Sequence, residues 1–241
     1  MKPKPKKKRR WLVILLSIVG LLLAFLAAIV ITSHYISTPT TGAAIGPYVE
    51  HKSALLVVGV QKDTTSNTAF YGDTTDFVEK VNRAVTLAQD AEMETLYIRN
   101  EYGNNPLVLL LSLGRYRRGT VGVDFDGRLR VINRRLFSKS VADSFSDGAF
   151  EDYLLGREID TLYIVGADAA ACVHKTALGG VNRGYCVTIL KDAVITINDA
   201  TMVEMLRQYE KDGIEVMDLD GFAEMCKDKK PRGEGCGCTD Q

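Results

Sequence analysis

Apolar residues follow three distinct rhythms along this chain. The first is unbroken: "WLVILLSIVGLLLAFLAAIVIT", Trp11 to Thr32, holds 22 residues without a charge. At about 1.5 Å per residue a helix of that length crosses a hydrocarbon core roughly 30 Å thick. The second rhythm is a set of short apolar runs, "SALLVVGV" (53–60), "TLYIR" (95–99), "TLYIVG" (161–166), "YCVTIL" (185–190) and "IEVMD" (214–218). Runs of this kind suit parallel strands buried on both faces. The third has a period of three to four. Phe77, Val81, Val85 and Ala88 predict a helix from about Thr74, with Asp76 and Glu79 near its positive end. "PLVLLLSL" (106–113) predicts a short helix opened by Pro106 and closed by Gly114, and "DGAFEDYLLG" and "DATMVEMLRQYEKDG" predict two more. A further helix opens around Cys172.

Strands that alternate with helices need right-handed crossovers, which gives a mostly parallel sheet covered on both faces: a three-layer α/β/α domain. The chain then divides into a basic flank (1–10), a transmembrane anchor (11–32), a stem (33–52), a folded body (53–226) and a disordered tail (227–241). The stem mixes Thr, Gly, Pro and Ala without an apolar period, and the tail is charged and Gly-rich.

Charge changes this picture in two ways. The net charge of the 241 residues is zero, but residues 1–10 hold seven of the 30 Lys and Arg, leaving 23 against 30 Asp and Glu. An acidic body argues against nucleic acid as a partner. Basic residues ahead of the apolar run place residues 1–10 in the cytoplasm and the body outside. An anchor is expected to be retained, because the apolar region of a cleaved signal is usually shorter, about 7 to 15 residues.

The candidate chemistry centres on "VGADAAACVHKTALGG" (165–180). A strand ends in glycine, small residues make a bend, and Cys172 falls where a helix begins, an address that favours thiolate over thiol. In parallel sheets, sites form beyond the carboxyl ends of the strands, as here. Two positions along a helix turn a side chain about 200° away, so His174 is not expected to pair with Cys172. Lys139 in "FSKS" is a candidate cation and Asp63 in "GVQKD" a candidate carboxylate. His34 and His51 have no metal-ligand spacing to other residues. Cys186 lies inside a strand and reads as structural. Cys236 and Cys238 lack the second pair that a zinc site needs, and five cysteines give no sign of a disulfide framework.

Taken together, "ALLVVGVQKD", the lysine followed by "DSF", and "YIVGADAAACVHKTALGGVNRGYCVTILKDA" resemble the isochorismatase-like cysteine hydrolases, which include nicotinamidases and related amidohydrolases. The resemblance covers about residues 53–218. It implies a cysteine nucleophile at Cys172, a cationic partner at Lys139, an oxyanion hole from the backbone N–H groups of Asp168 and Cys172, and a non-proline cis peptide between Ala167 and Asp168. It also implies an aspartate base in a "D-x-Q" motif after the first strand. Here that motif reads "G-V-Q", with Gly59 in the aspartate position, and Asp63 can substitute only if its loop folds back. After the second strand, "RNEYGNN" offers Glu101 but no histidine, so no metal and no cofactor is expected, and nicotinamide is a poor substrate. The expected function is a membrane-anchored hydrolase acting on the C–N bond of a small amide, with weak or altered activity. The alternative is an inactive relative that binds a ligand or serves as a scaffold at the membrane. Such families often pair, but the helices show no distinct exposed apolar stripe, and a homo-oligomer stays open.

Overall fold

The computed structural model describes residues 6–66 and 68–228. Six strands form one sheet: β1 (Lys52–Val58), β2 (Glu94–Asn100), β3 (Leu136–Lys139), β4 (Ile159–Ala167), β5 (Cys186–Ile195) and β6 (Glu215–Met217). Their order is β3-β2-β1-β4-β5-β6, with every neighbouring pair parallel. Five coincide with the apolar runs. The sixth, β3, is an edge strand in which Leu136 and Ser138 are exposed and only Lys139 is buried, so no apolar run announces it.

The helices are α1 (Lys6–Ser37), α2 (Thr68–Tyr71), α3 (Thr75–Asp90), α4 (Pro106–Leu111), α5 (Gly148–Gly156), α6 (His174–Val181), α7 (Asp199–Lys211) and α8 (Leu219–Asp228). β1 shows how the layers are built. Ala54, Leu56 and Val58 face Phe150, Leu154, Val173, Ala177 and Tyr209. Leu55 and Val57 face Val78, Val81, Val85 and Phe222. All of these are buried, and alternation along one strand therefore feeds two cores.

Three boundaries differ from the sequence reading. The helix α8 buries Leu219, Phe222, Ala223 and Cys226, a spacing of three and four that its short length had concealed. It ends at Asp228, so Lys227 and Asp228 belong to the body rather than to the tail, whose remaining residues lie outside the described ones together with Cys236 and Cys238. The helix α1 begins before Trp11 and continues to Ser37, five residues beyond the predicted end of the span.

The stem is the third. After α1 it lies against the body. The Thr40 N–H and hydroxyl donate to Asp143 Oδ2 at 2.7 and 2.6 Å, and the Ile45 N–H donates to the Arg183 carbonyl at 2.8 Å. The Arg183 guanidinium reaches the Thr40 and Thr41 carbonyls and pairs with Glu151 at 2.6 Å. A buried carboxylate and a buried guanidinium hold the strap in one place, which mixed Thr, Gly and Pro did not foretell. Burial pushes the Asp143 carboxyl pKa up, against the pull of the Thr40 and Phe145 hydrogen bonds.

Candidate active site

The chain runs outward from β1 to β2 and β3, then returns to place β4 on the other side of β1. Loops leaving β1 and β4 therefore diverge and open a crevice at the carboxyl edge of the sheet. Gly59 follows β1. Cys172 follows β4, in a π-helical turn, Ala169–Val173, that runs into α6.

The Ala167–Asp168 peptide is cis, as the resemblance implies. The Asp168 carboxylate caps the turn by accepting the Ala170 N–H at 2.7 Å, and its backbone carbonyl accepts the Ala171 and Val173 N–H groups. Burial raises the Asp168 pKa, opposed by the Ala170 N–H and by hydrogen bonds from Thr196 and Tyr71. These contacts fix the turn that presents the half-buried Cys172.

The hydrogen-bond partner of the Cys172 sulfur is Asn100, whose Oδ1 lies 3.6 Å from Sγ. Asn100 ends β2, and its backbone is clamped by the fully buried Gln61. Gln61 Oε1 accepts the Asn100 N–H at 2.7 Å, and Gln61 Nε2 donates to the carbonyls of Asn100 and Val123 at 2.9 and 2.8 Å. The glutamine of "GVQKD" thus positions the residue that meets the sulfur. Sequence reasoning missed Asn100, and its place at the carboxyl end of a strand was the only signal. In this orientation the amide accepts from a thiol. Turned over, its NH₂ group would donate to a thiolate.

Gly59 has φ +67°, and a Cβ there would lie 2.5 Å from the Ala167 carbonyl oxygen. Backbone occupies the space that a side chain at this position would need. Lys139 is buried at the end of β3, in register with Asn100 across the β2–β3 pair. Its Nζ donates to the carbonyls of Val141 and Ala142 at 3.0 and 2.7 Å rather than to Cys172. Asp63 sits in a π-helical turn, Lys62–Ser66, where its carboxylate accepts the Tyr116 N–H at 2.8 Å. The loop has folded back, yet the carboxylate is bonded to Tyr116 and not to the sulfur. Among the described residues no carboxylate hydrogen-bonds to Cys172.

His174 points away, as its spacing predicts, and meets Asp212 at 2.7 Å. Burial lowers the His174 pKa, against the pull of the Asp212 carboxylate. Glu101 is held by Arg99, Arg118 and Ser138. Among the described residues no cluster of three or more His, Cys, Asp or Glu could hold a metal ion. The side chains after β2 do not fit a metal site.

Cys172 and Cys226 are free thiols, and burial raises the Cys226 pKa to about 11. Cys186 is disulfide-bonded.

A six-stranded parallel sheet with a cysteine turn at the β1/β4 crevice is the arrangement of the isochorismatase-like fold. The isochorismatase domain model matches residues 53–221, and the chain belongs to that family. Among solved structures it is similar to a cysteine hydrolase from Pseudomonas syringae pv. phaseolicola (18% identity, TM-score 0.67, covering 79% of this chain and 100% of that one). It is also similar to the pyrazinamidase of Pyrococcus horikoshii in complex with zinc (22%, 0.63, 70% and 99%). A third likeness is to the N-carbamoylsarcosine amidase of Thermoplasma acidophilum (19%, 0.59, 69% and 96%). At these identities the likeness is one of fold. No curated protein matches the chain in sequence.

Proposed function

We propose that this chain is a membrane-anchored hydrolase that attacks the carbonyl of a small amide with Cys172 and cleaves the C–N bond slowly. The observation that carries the reading is the partner of the sulfur: an amide, Asn100, stands where a base would have to reach. Thiolate attack forms a C–S bond, and collapse of the tetrahedral adduct breaks the C–N bond. Water then releases the acid from the thioester. The backbone N–H groups of Asp168 and Cys172 are the proposed donors to the oxyanion. Neither Asn100 nor the Lys139 ammonium can take the thiol proton, so it must reach the leaving nitrogen through water. A missing general base typically lowers the rate by about 10² to 10⁴.

Anchoring is supported by α1, whose segment Arg10–Ser37 has a mean hydropathy of 3.1 over its apolar window and is long enough to cross a membrane. Seven basic residues ahead of it support a cytoplasmic N-terminus. A disulfide at Cys186 fits an oxidising compartment for the body.

A second reading is a ligand-binding module without turnover. The Gly59 backbone favours it, because the Ala167 carbonyl fills the position from which an aspartate would act. Mass spectrometry of the full chain incubated with a panel of small amides separates the two. Hydrolysis requires a thioester on the Cys172 peptide that Cys172→Ala abolishes. Amides that raise the unfolding temperature but leave Cys172 unmodified would establish the binding module instead.

A further inference from the structure

The end of α1, the helix proposed to cross the membrane, is tied to the edge of the sheet that holds Lys139. On α1 the half-buried positions near its end are Ala28, Ile29, Thr32, Ser33 and Ile36, a spacing of one and three that marks a single face. The helix α1 packs against α4. The Ile36 carbonyl then accepts the N–H of Ala142, whose own carbonyl accepts from Lys139 Nζ at 2.7 Å. With the Thr40–Asp143 strap, these bonds fix the angle between the anchor and the sheet edge that carries the site.

The α4 excursion leaves the site at Tyr102 and returns to it at Tyr116. The two rings meet edge to face at 5.7 Å, and burial raises the pKa of both phenols, with the neighbouring Cys172 a smaller cause in the same direction. Asn105 starts the helix by accepting the Leu107 N–H at 3.0 Å. The excursion carries "PLVLLLSL" out of the body, with Leu110 52% and Leu113 71% exposed. Arg117 and Arg118 follow on the exposed return, where Arg117 also donates to Asn104 at 3.2 Å and Arg118 pairs with Glu101 at 2.9 Å. An apolar tip with arginines behind it, joined to the last turns of a membrane-spanning helix, matches acyl chains with headgroup phosphates above them. At about 1.5 Å per residue, a helix that enters the hydrocarbon at Trp11 leaves it near Val30. The half-buried face of α1 begins close to that level, at Ala28.

We propose that α4 and the Leu113–Arg118 return rest in the membrane surface, and that the Cys172 site takes its ligand from the lipid phase, an amide bearing a long acyl chain. The chain of such a ligand would lie along α4, with its carbonyl at the Cys172 sulfur. The substrate class rests on the hydrolase reading above, whereas the placement of α4 does not.

Two measurements on the full chain in phosphatidylcholine vesicles test the parts separately. The chain has one tryptophan, Trp11, so Leu113→Trp in a Trp11→Phe background reports on one place. Bromines carried high on the lipid chains should quench it, and aqueous acrylamide should not. The reverse pattern overturns the membrane placement. The second measurement follows acylation of Cys172 by primary amides of two to twelve carbons. At limiting lipid the rate should rise roughly threefold to fourfold per methylene, and Leu110→Glu/Leu113→Glu should lower the twelve-carbon rate more than the two-carbon rate. A rate independent of chain length overturns the ligand class while leaving the hydrolase standing. Absence of acylation at every length overturns both the ligand class and the hydrolase, and the tryptophan still decides where α4 lies.

Discussion

The Cys172 sulfur lies 3.6 Å from Asn100 Oδ1, at the meeting of the β2 end and the β4 turn. Asn100 is held from behind by Gln61 through main-chain bonds alone, so its side chain can be exchanged without loosening the clamp. Asn100→Asp keeps the shape and supplies a carboxylate next to the thiol. We expect hydrolysis of any amide that acylates Cys172 to rise by roughly 10² to 10⁴, the usual contribution of a positioned base. Single-turnover release of acid would measure it. A folded Asn100→Asp variant no faster than its parent would show that proton removal from Cys172 is not what limits the reaction.

Gly59→Asp, the change that the family pattern suggests, should fail. Its φ of +67° costs about 1 to 2 kcal/mol for a residue with a side chain. The Cβ also meets the Ala167 carbonyl, and overpacking of that kind typically costs about 1 to 3 kcal/mol. Urea unfolding should show a midpoint well below that of the parent, with no gain in hydrolysis. A Gly59→Asp chain of parental stability would mean that the Ala167–Asp168 turn yields more easily than its hydrogen bonds suggest.

The two free thiols should differ in reactivity. Cys172 is half-exposed, whereas Cys226 is buried with its pKa raised to about 11, so alkylation at neutral pH should reach Cys172 first. Lys139→Met is informative beside it. Because Lys139 Nζ serves the Val141 and Ala142 carbonyls, its loss should destabilise the chain by about 1 to 3 kcal/mol through one buried and one part-buried acceptor left without a donor. A Lys139→Met chain of unchanged stability, alkylated more slowly at Cys172, would instead return the lysine to the sulfur.

Much of the fold was legible in apolar runs, because a strand buried on both faces can hold little else. Cys172 was legible too, from a strand, a bend and a helix start. Contacts made across the sheet were not. Nothing local to "FSKS" says that Lys139 turns onto its own following carbonyls, and nothing in "RNEYGNN" singles out Asn100 until β2 lies beside β1. The Thr40–Asp143 strap joins residues 103 positions apart. A composition rule that reads Thr, Gly and Pro as linker is blind to a carboxylate waiting elsewhere in the chain.

The turn that carries Gln61 depends on a second buried carboxylate, and this gives a prediction in pH. Asp126 Oδ2 accepts from the Thr65 hydroxyl at 2.6 Å and from Arg128 Nη2 at 2.7 Å, and its Oδ1 accepts the Arg128 N–H. Burial alone would push its pKa up, but the Arg128 and Thr65 bonds outweigh it and hold the carboxyl well below the usual range. A group whose folded pKa is depressed adds stability above its unfolded value, about 3.9, and loses that stability as pH falls through the folded value. Asp126→Asn should therefore cost about 1 to 3 kcal/mol at pH 7, through weakened bonds to Arg128 and Thr65. The gap between parent and variant should narrow below about pH 4, where the unfolded parent begins to bind the proton. Urea unfolding of the full chain in detergent at pH 7, 4.5 and 3 measures that gap. A gap that stays constant across the three, or widens toward pH 3, would mean that the Asp126 charge does not hold the 61–66 turn.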